Sequence, residues 1–276
     1  MNQKHSSLQP SFPELIDIQN LPDNRNIRIK KVGVKNIRYP ITVRDKKNGI
    51  QHTVASVNMY VDLPQHFKGT HMSRFVEILN TYRGDIAIRN FSKILDDMKR
   101  TLNAKSAHLE IEFPYFIEKE APVTQAKGLM EYICRFCGSS NDVDDFYVGI
   151  VVPVTTLCPC SREISERGAH NQRSIVTVNL RFKKFFWIED IIDLVEQSAS
   201  CDVYSILKRP DEKYVTEKAY DNPMFVEDIV REIALKLSKD ENITWFTVEA
   251  ENFESIHNHS AYAFVEKSDG FLDKSL

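Results

Sequence analysis

An α+β fold resting on an antiparallel sheet is what this sequence of 276 residues predicts, and three observations predict it. Runs of period-two alternation follow one another through turn signals, as neighbouring antiparallel strands do. Pairs of segments with apolar residues at helical spacing are set between those runs. The order strand, strand, helix, helix, strand, strand fills the first half, and a similar rhythm returns in the second. Two units per chain follow from that order, with no residue-level repeat beside it.

Residues 1–24 are rich in Asn, Gln, Ser and Pro and read as a mobile leader. Alternation of Ile27, Ile29, Val32 and Val34, with Tyr39 and Ile41 beyond, predicts a long strand over 27–43. The turn-prone Lys46-Lys47-Asn48-Gly49 then opens a second strand over 50–61. Phe75, Ile78 and Leu79 mark a helix over 72–82, and Phe91, Ile94, Leu95 and Met98 a second one. Strands over 107–116, 128–136 and 146–154 follow. Beyond them come a strand over 174–182, a helix over 188–197, a helix over 224–239, and strands over 243–253 and 261–265. The run from Leu207 to Lys213 mixes cations with carboxylates and reads as a solvated loop or as a phosphate clamp of Lys208, Arg209 and Lys213, with Glu212 facing inward. The chain divides into the leader, an N-terminal unit over 25–157 and a C-terminal unit over 158–276.

Composition narrows the function. Apolar residues make up 42% and charged residues 27%, the balance of a globular protein with a core. No run is apolar for long enough to span a bilayer, and residues 1–23 lack the apolar stretch of a secretory signal, so a cytoplasmic protein is expected. Five cysteines, an odd number, argue against a disulfide framework. A net charge of -3 speaks against nucleic-acid binding but leaves room for an anionic small molecule in a local basic cleft.

Two clusters carry chemistry. Residues 153–173 place Cys158, Cys160 and His170 between two strand-like runs. Pro159 biases Cys158 towards an extended backbone, in which Cys158 and Cys160 would face the same way. Thiols beside an imidazole form half of a metal site or a nucleophile pair, with core packing as the alternative. The second cluster, His257 and His259 behind Glu254, suits a metal ligand plus a general acid or base; a polar surface hairpin is the plain alternative. Cys134-Arg-Phe-Cys137 looks like half of a zinc knuckle that could pair with Cys158 and Cys160, although residues three apart on a strand face opposite ways. Glu227 reads by itself as a favourable first-turn charge.

Longer blocks carry a resemblance. Leu-Cys-Pro-Cys-Ser-Arg-Glu-Ile-Ser (157–165) with Gly-Ala-His-Asn-Gln-Arg-Ser (168–174) resembles the type IB GTP cyclohydrolase I family. So do Lys-Gly-Thr-His-Met-Ser-Arg-Phe (68–75), Lys-Arg-Pro-Asp-Glu-Lys-Tyr-Val (208–215), Tyr-Asp-Asn-Pro-Met-Phe-Val-Glu-Asp (220–228) and Ser-Ile-His-Asn-His-Ser-Ala-Tyr (255–262). The resemblance spans most of the chain beyond the leader. It implies a tunnelling fold, in which four-stranded antiparallel sheets backed by helix pairs assemble into a barrel, and a homotetramer with active sites between subunits. It also implies conversion of GTP and water to 7,8-dihydroneopterin triphosphate and formate, the entry to folate-type pterins.

Carried onto this sequence, the resemblance implies one divalent ion per site (zinc, manganese or ferrous iron) held by Cys158, His170, Glu212 and His257. Cys160 becomes a second active-site thiol, His259 an acid/base group and Glu227 the carboxylate that anchors guanine through its N1–H and 2-amino group. Metal-activated water is expected to attack C8. Lys68, His71, Arg74, Lys208 and Arg209 are the candidates for the triphosphate. Four protein ligands would fill a tetrahedral shell, so Glu212, the hardest of them, is expected to be labile. Two other readings compete: a nitrile reductase of the same fold, with a cysteine nucleophile and a nicotinamide cofactor, and a binding protein whose zinc is held by Cys134, Cys137, Cys158 and Cys160.

Overall fold

Alternation decides which face of each strand is buried, and the strands then stack by hairpins in sequence order. The computed structural model describes residues 17–83, 86, 88–141 and 144–267. Strands β1 (Ile29–Asp45) and β2 (Gly49–Leu63) form the first hairpin, with Gly49 at φ +81° closing the turn. Helices α1 (Met72–Thr81) and α2 (Phe91–Leu102) follow, then β3 (Ala107–Glu120), β4 (Lys127–Ser140) and β5 (Asp144–Leu157). A short helix α3 (Pro159–Ile164) precedes β6 (Asn171–Phe182), α4 (Ile188–Glu196) and the two-residue β7 (Cys201–Asp202). Helices α5 (Arg209–Asp221) and α6 (Val226–Ser238) lead to β8 (Ile243–Asn252) and β9 (Ala261–Glu266). All pairings are antiparallel, in the order β1-β2-β3-β4-β5-β6-β8-β9, with β7 added to β5.

One face of this sheet is apolar. Ala55, Val57, Met59, Leu109, Ile111, Phe113, Val176, Val178 and Phe246 are buried there against the helices. The stripes predicted for α1 and α2 are the buried ones, Phe75, Ile78 and Leu79 on the first and Phe91, Ile94, Leu95 and Met98 on the second. The other face carries half-exposed polar groups such as His108, Glu110, Glu112 and Arg135. Among the described residues no helix is long and apolar enough to cross a membrane.

The structure departs from the sequence reading at three places. Residues 1–16 of the expected leader lie outside the described residues, but 17–23 are docked. Gln19 Nε2 donates to the Thr70 carbonyl (3.1 Å), the Lys68 and Gly69 amides donate to Leu21 and Gln19, and Pro22 bridges Phe67. The unit order strand, strand, helix, helix, strand, strand is complete at β4. Across 157/158 the sheet is continuous, β5 pairing with β6, so the two halves of the chain share one sheet. The run from Leu207 to Lys213 is not a loop: α5 starts at Arg209, with Pro210 in its first turn, where a missing N–H costs nothing. Finally, Cys158 is extended as Pro159 requires (φ -67°, ψ 117°), but it is the N-cap of α3, so Cys160 lies in a helix rather than two residues along a strand.

Antiparallel order gives the sheet two distinct ends. At one lie the β1–β2 turn, the β3–β4 turn, the β5–β6 connection and the β8–β9 loop. At the other lie the β2–α1 and α2–β3 connections and the starts of β5 and β8. The 14 residues of β5, at about 3.3 Å each, put roughly 45 Å between them.

Candidate active site

At the first end the β5–β6 connection folds back on itself. The Cys158 amide donates to the His170 carbonyl (3.1 Å), which closes the excursion that starts at α3. The Ser161 amide points at Cys158 Sγ (3.4 Å), and Ser161 Oγ accepts from the His170 amide (3.1 Å). A single serine thus ties the thiol segment to the imidazole segment. Cys158 and His170 are half-buried, while Cys160 is exposed.

Three other elements converge on this end. Glu212 shares the α5 stripe with Val215 and Ala219, which pack against Leu157 and Ala169, the neighbours of Cys158 and His170. Its carboxylate is exposed and lies 3.7 Å from Arg209. Glu227, also exposed, is in the first turn of α6 just after Met224, whose amide donates to the Leu157 carbonyl (3.0 Å). The β8–β9 loop reaches His170 through Ser255 Oγ (3.5 Å from Nδ1) and Glu254 (3.9 Å from Nδ1). His257 and His259 follow in that loop, exposed, their rings stacked at 5.1 Å. Lys208 and Arg209 stand exposed at the start of α5.

The start of α5 is held by a residue that sequence reasoning missed. Asp211, fully buried, accepts from the Val123 amide (2.8 Å), the Thr124 amide (2.9 Å), Thr124 Oγ1 (2.6 Å) and the Lys208 amide (2.8 Å). Burial pushes its carboxyl up, but these donors outweigh it and hold the group well below the usual carboxylate range. The available signal was Pro210 followed by Asp211 at the third helical position, a helix-start pattern. Beside it, Gly128 leaves room for the segment before α5 to cross β4, since a Cβ there would meet Ser205 Oγ at 2.2 Å. Lys119 completes the anchorage, pairing with Glu196 (2.7 Å) and Asp202 (3.3 Å), while Lys218 pairs with Asp202 at 2.8 Å.

Not every predicted residue is brought here. Lys68, His71 and Arg74 lie at the opposite end, where His71 Nε2 pairs with Asp17 (3.0 Å) and Arg74 reaches the Thr101 carbonyl. Within one chain they are a strand length away from Cys158. Cys134 is fully buried in the middle of β4, its thiol pushed up by burial, and Cys137 faces the other side of the sheet beside Tyr147. The four cysteines therefore do not converge, and the four-sulfur zinc reading falls. Lys213 pairs with Glu217 on the exposed side of α5.

A divalent ion suits the donor chemistry. A thiol and an imidazole, soft and borderline, are joined through their backbones, and a carboxylate and two further imidazoles occupy the neighbouring elements. Among the described residues of the single chain, no three His, Cys, Asp or Glu side chains converge to hold a metal.

Comparison with known proteins decides the family. The sequence model of a family described as type I GTP cyclohydrolase folE2 matches residues 15–263. The chain belongs to this family. A protein named GTP cyclohydrolase FolE2 from Syntrophus aciditrophicus is 67% identical over 92% of this chain and 100% of its own length. Relatives of the same name from Syntrophotalea carbinolica and Geobacter metallireducens are 65% and 63% identical, over 91% of this chain and 94% and 96% of their own lengths. Among solved structures, a uricase from Bacillus fastidious superposes with TM-score 0.53 at 8% identity, over 89% of this chain and 94% of its own. A highly active mutant of Bacillus sp. TB-90 urate oxidase gives 0.51 at 10% identity, over 87% and 100%. At such identities the likeness is one of fold, and the fold of this family member is the tunnelling fold.

Proposed function

We propose that this protein is a GTP cyclohydrolase I, converting GTP and water to 7,8-dihydroneopterin triphosphate and formate at the start of folate biosynthesis. The observation that carries the reading is the meeting of four elements at one end of the sheet: the Cys158–His170 connection, the first turns of α5 and α6, and the loop bearing His257 and His259. A nitrile reductase would need the cysteine but not that imidazole set, and the family match points away from it.

The residues divide the work by their chemistry. Cys158, His170, Glu212 and His257 would hold one divalent cation (zinc, manganese or ferrous iron). Bound there, such a cation supplies Lewis-acid chemistry that makes water a competent nucleophile near neutral pH. Glu227, exposed on the first turn of α6, accepts the paired N1–H and 2-amino donors of guanine and points its C8 at the metal ligands. His259, stacked on His257, delivers the proton that N7 takes up as C8 is attacked. Cys160 is a second thiol at the mouth of the site. Glu212, exposed and 3.7 Å from the Arg209 guanidinium, would be the labile member of the ligand set.

Lys208 and Arg209 meet the triphosphate from the same chain, and Lys68, His71 and Arg74 can reach it only from a neighbouring subunit. That requirement favours a homotetramer with its sites at subunit interfaces. The sheet supports such assembly, because β1 and β9 are its outer strands and β9 presents the exposed Tyr262 and Phe264. Incubating manganese-loaded protein with GTP and following formate, together with fluorescent pterin after oxidation, tests the reaction. Metal-loaded protein that releases neither product overturns it.

A further inference from the structure

Beneath the candidate ligand His170 lies a polar relay that the proposed reaction does not use. Gln172, two residues along β6 and buried, brings its Oε1 to 3.2 Å from His170 Nδ1. Its Nε2 donates to Glu254 Oε1 at 3.4 Å, at the start of the β8–β9 loop. The chemistry of this chain of contacts is directional. A carboxylate only accepts, so Glu254 takes the amide N–H of Gln172 and turns the amide oxygen towards the imidazole. An amide oxygen also only accepts, so Nδ1 must carry the proton. In a neutral imidazole that leaves the lone pair on Nε2, at the outer side of the ring.

We infer that Gln172, oriented by Glu254, is a positioning residue that fixes His170 in its Nδ1–H tautomer and presents Nε2 as the metal-binding atom. The inference rests on the proposed metal role of His170 and deepens it. Burial gives the relay its force: the Gln172 amide and the His170 ring are both largely shielded, so an unmatched donor or acceptor there is costly. The relay also ties the loop carrying His257 to His170. Partners of this kind beyond the ligands tune metal affinity by about 10- to 100-fold.

Nitrogen-15 NMR of metal-free protein labelled at histidine reads the tautomer, and calorimetric titration with manganese or zinc alone reads affinity, in the full chain and in Gln172→Met. Expected are a protonated Nδ1 on His170 in the parent protein, a mixed or inverted tautomer in the variant, and a metal dissociation constant raised by about 10- to 100-fold. A parent His170 protonated at Nε2 overturns the inference without any variant. So does a variant that keeps the parent tautomer, or one that shifts the tautomer while binding metal as tightly as before. A parent protein with an Nδ1–H His170 that binds neither ion sinks the metal reading, and with it the positioning role, while the tautomer result stands as the distinguishing mark.

Discussion

The two units of this chain are built on one plan and finished differently. In the first, the strands nearest the site end are joined by tight turns, one closed by Gly49 and one whose amides are taken up by Asp211. In the second, the corresponding connections are the α3 excursion from Cys158 to His170 and the β8–β9 loop, with α5 inserted before α6. The buried faces hardly differ in kind. Phe75, Ile94 and Met98 serve the first core as Ile192, Ile229 and Ile233 serve the second, and they merge into one cluster. What separates the units is what the connections carry. The scaffold is shared, and the candidate site residues stand where a hairpin is replaced by a longer path rich in Cys, His and Glu.

Metal removal is expected to break this contrast most completely. A chelator should abolish pterin formation while leaving the melting profile of both units recognisable, because the core does not depend on an ion, and manganese or zinc should restore turnover. Joint loss of turnover and fold on chelation would instead assign a structural metal. Cys158→Ala and His170→Ala come next, each lowering kcat/KM by more than about 100-fold, beyond the usual cost of losing a partner outside the ligand shell. Asn48→Ala, in the equivalent turn of the first unit, should leave kcat/KM within twofold of the parent (roughly the scatter of a neutral change). Comparable losses from both units would erase the distinction between scaffold and site.

Asp211 joins the units, and its effect is smaller and of another sort. Asp211→Asn should lower the melting temperature by several degrees and raise KM more than it lowers kcat, since α5 carries Lys208, Arg209 and Glu212. The pH dependence has a definite sign. The folded-state pKa is depressed below the ordinary 3.8, so the stabilisation is fully present above that value and is lost as pH falls through the lower folded value. The acid limb of the melting curve should therefore flatten in Asp211→Asn. An unchanged limb would show that the other depressed carboxylates, among them Asp23, Asp45, Asp62, Glu118 and Asp202, account for it without Asp211.

Much of this was readable before any coordinates. The predicted strands and four of the helices are present with ends moved by a few residues, because alternation and helical stripes report burial directly. The thiol, the imidazole and the histidine loop stand together as their positions at strand ends implied. The start of α5 was hidden by its charges: its buried face is little more than Val215 and Ala219, too thin a stripe to read as helix. Asp211 was hidden too, since nothing in the order of residues says that Val123 and Thr124 will offer it their amides. Gln172 escaped notice because a glutamine on a strand gives no signal until its partners are known. The placement of Lys68, His71 and Arg74 lay furthest from view, because sequence blocks show which residues belong to a family and not which end of a sheet they occupy.

Their position at the far end yields the finest test of the comparison between ends. Arg74→Ala is expected to raise KM for GTP by about tenfold, the lower end of what one charge-assisted contact contributes, with metal affinity unaltered. If the contact is made across subunits, the loss belongs to the neighbour's pocket. Mixed assemblies of Arg74→Ala chains with inactive Glu227→Gln chains then contain intact pockets served by intact arginines, and their KM should return towards the parent value although neither pure assembly has it. A mixture whose KM stays at the Arg74→Ala value would mean that the far end of the sheet never serves a neighbour. The triphosphate would then be left to Lys208 and Arg209, and the argument that the site requires an interface would lose its electrostatic half.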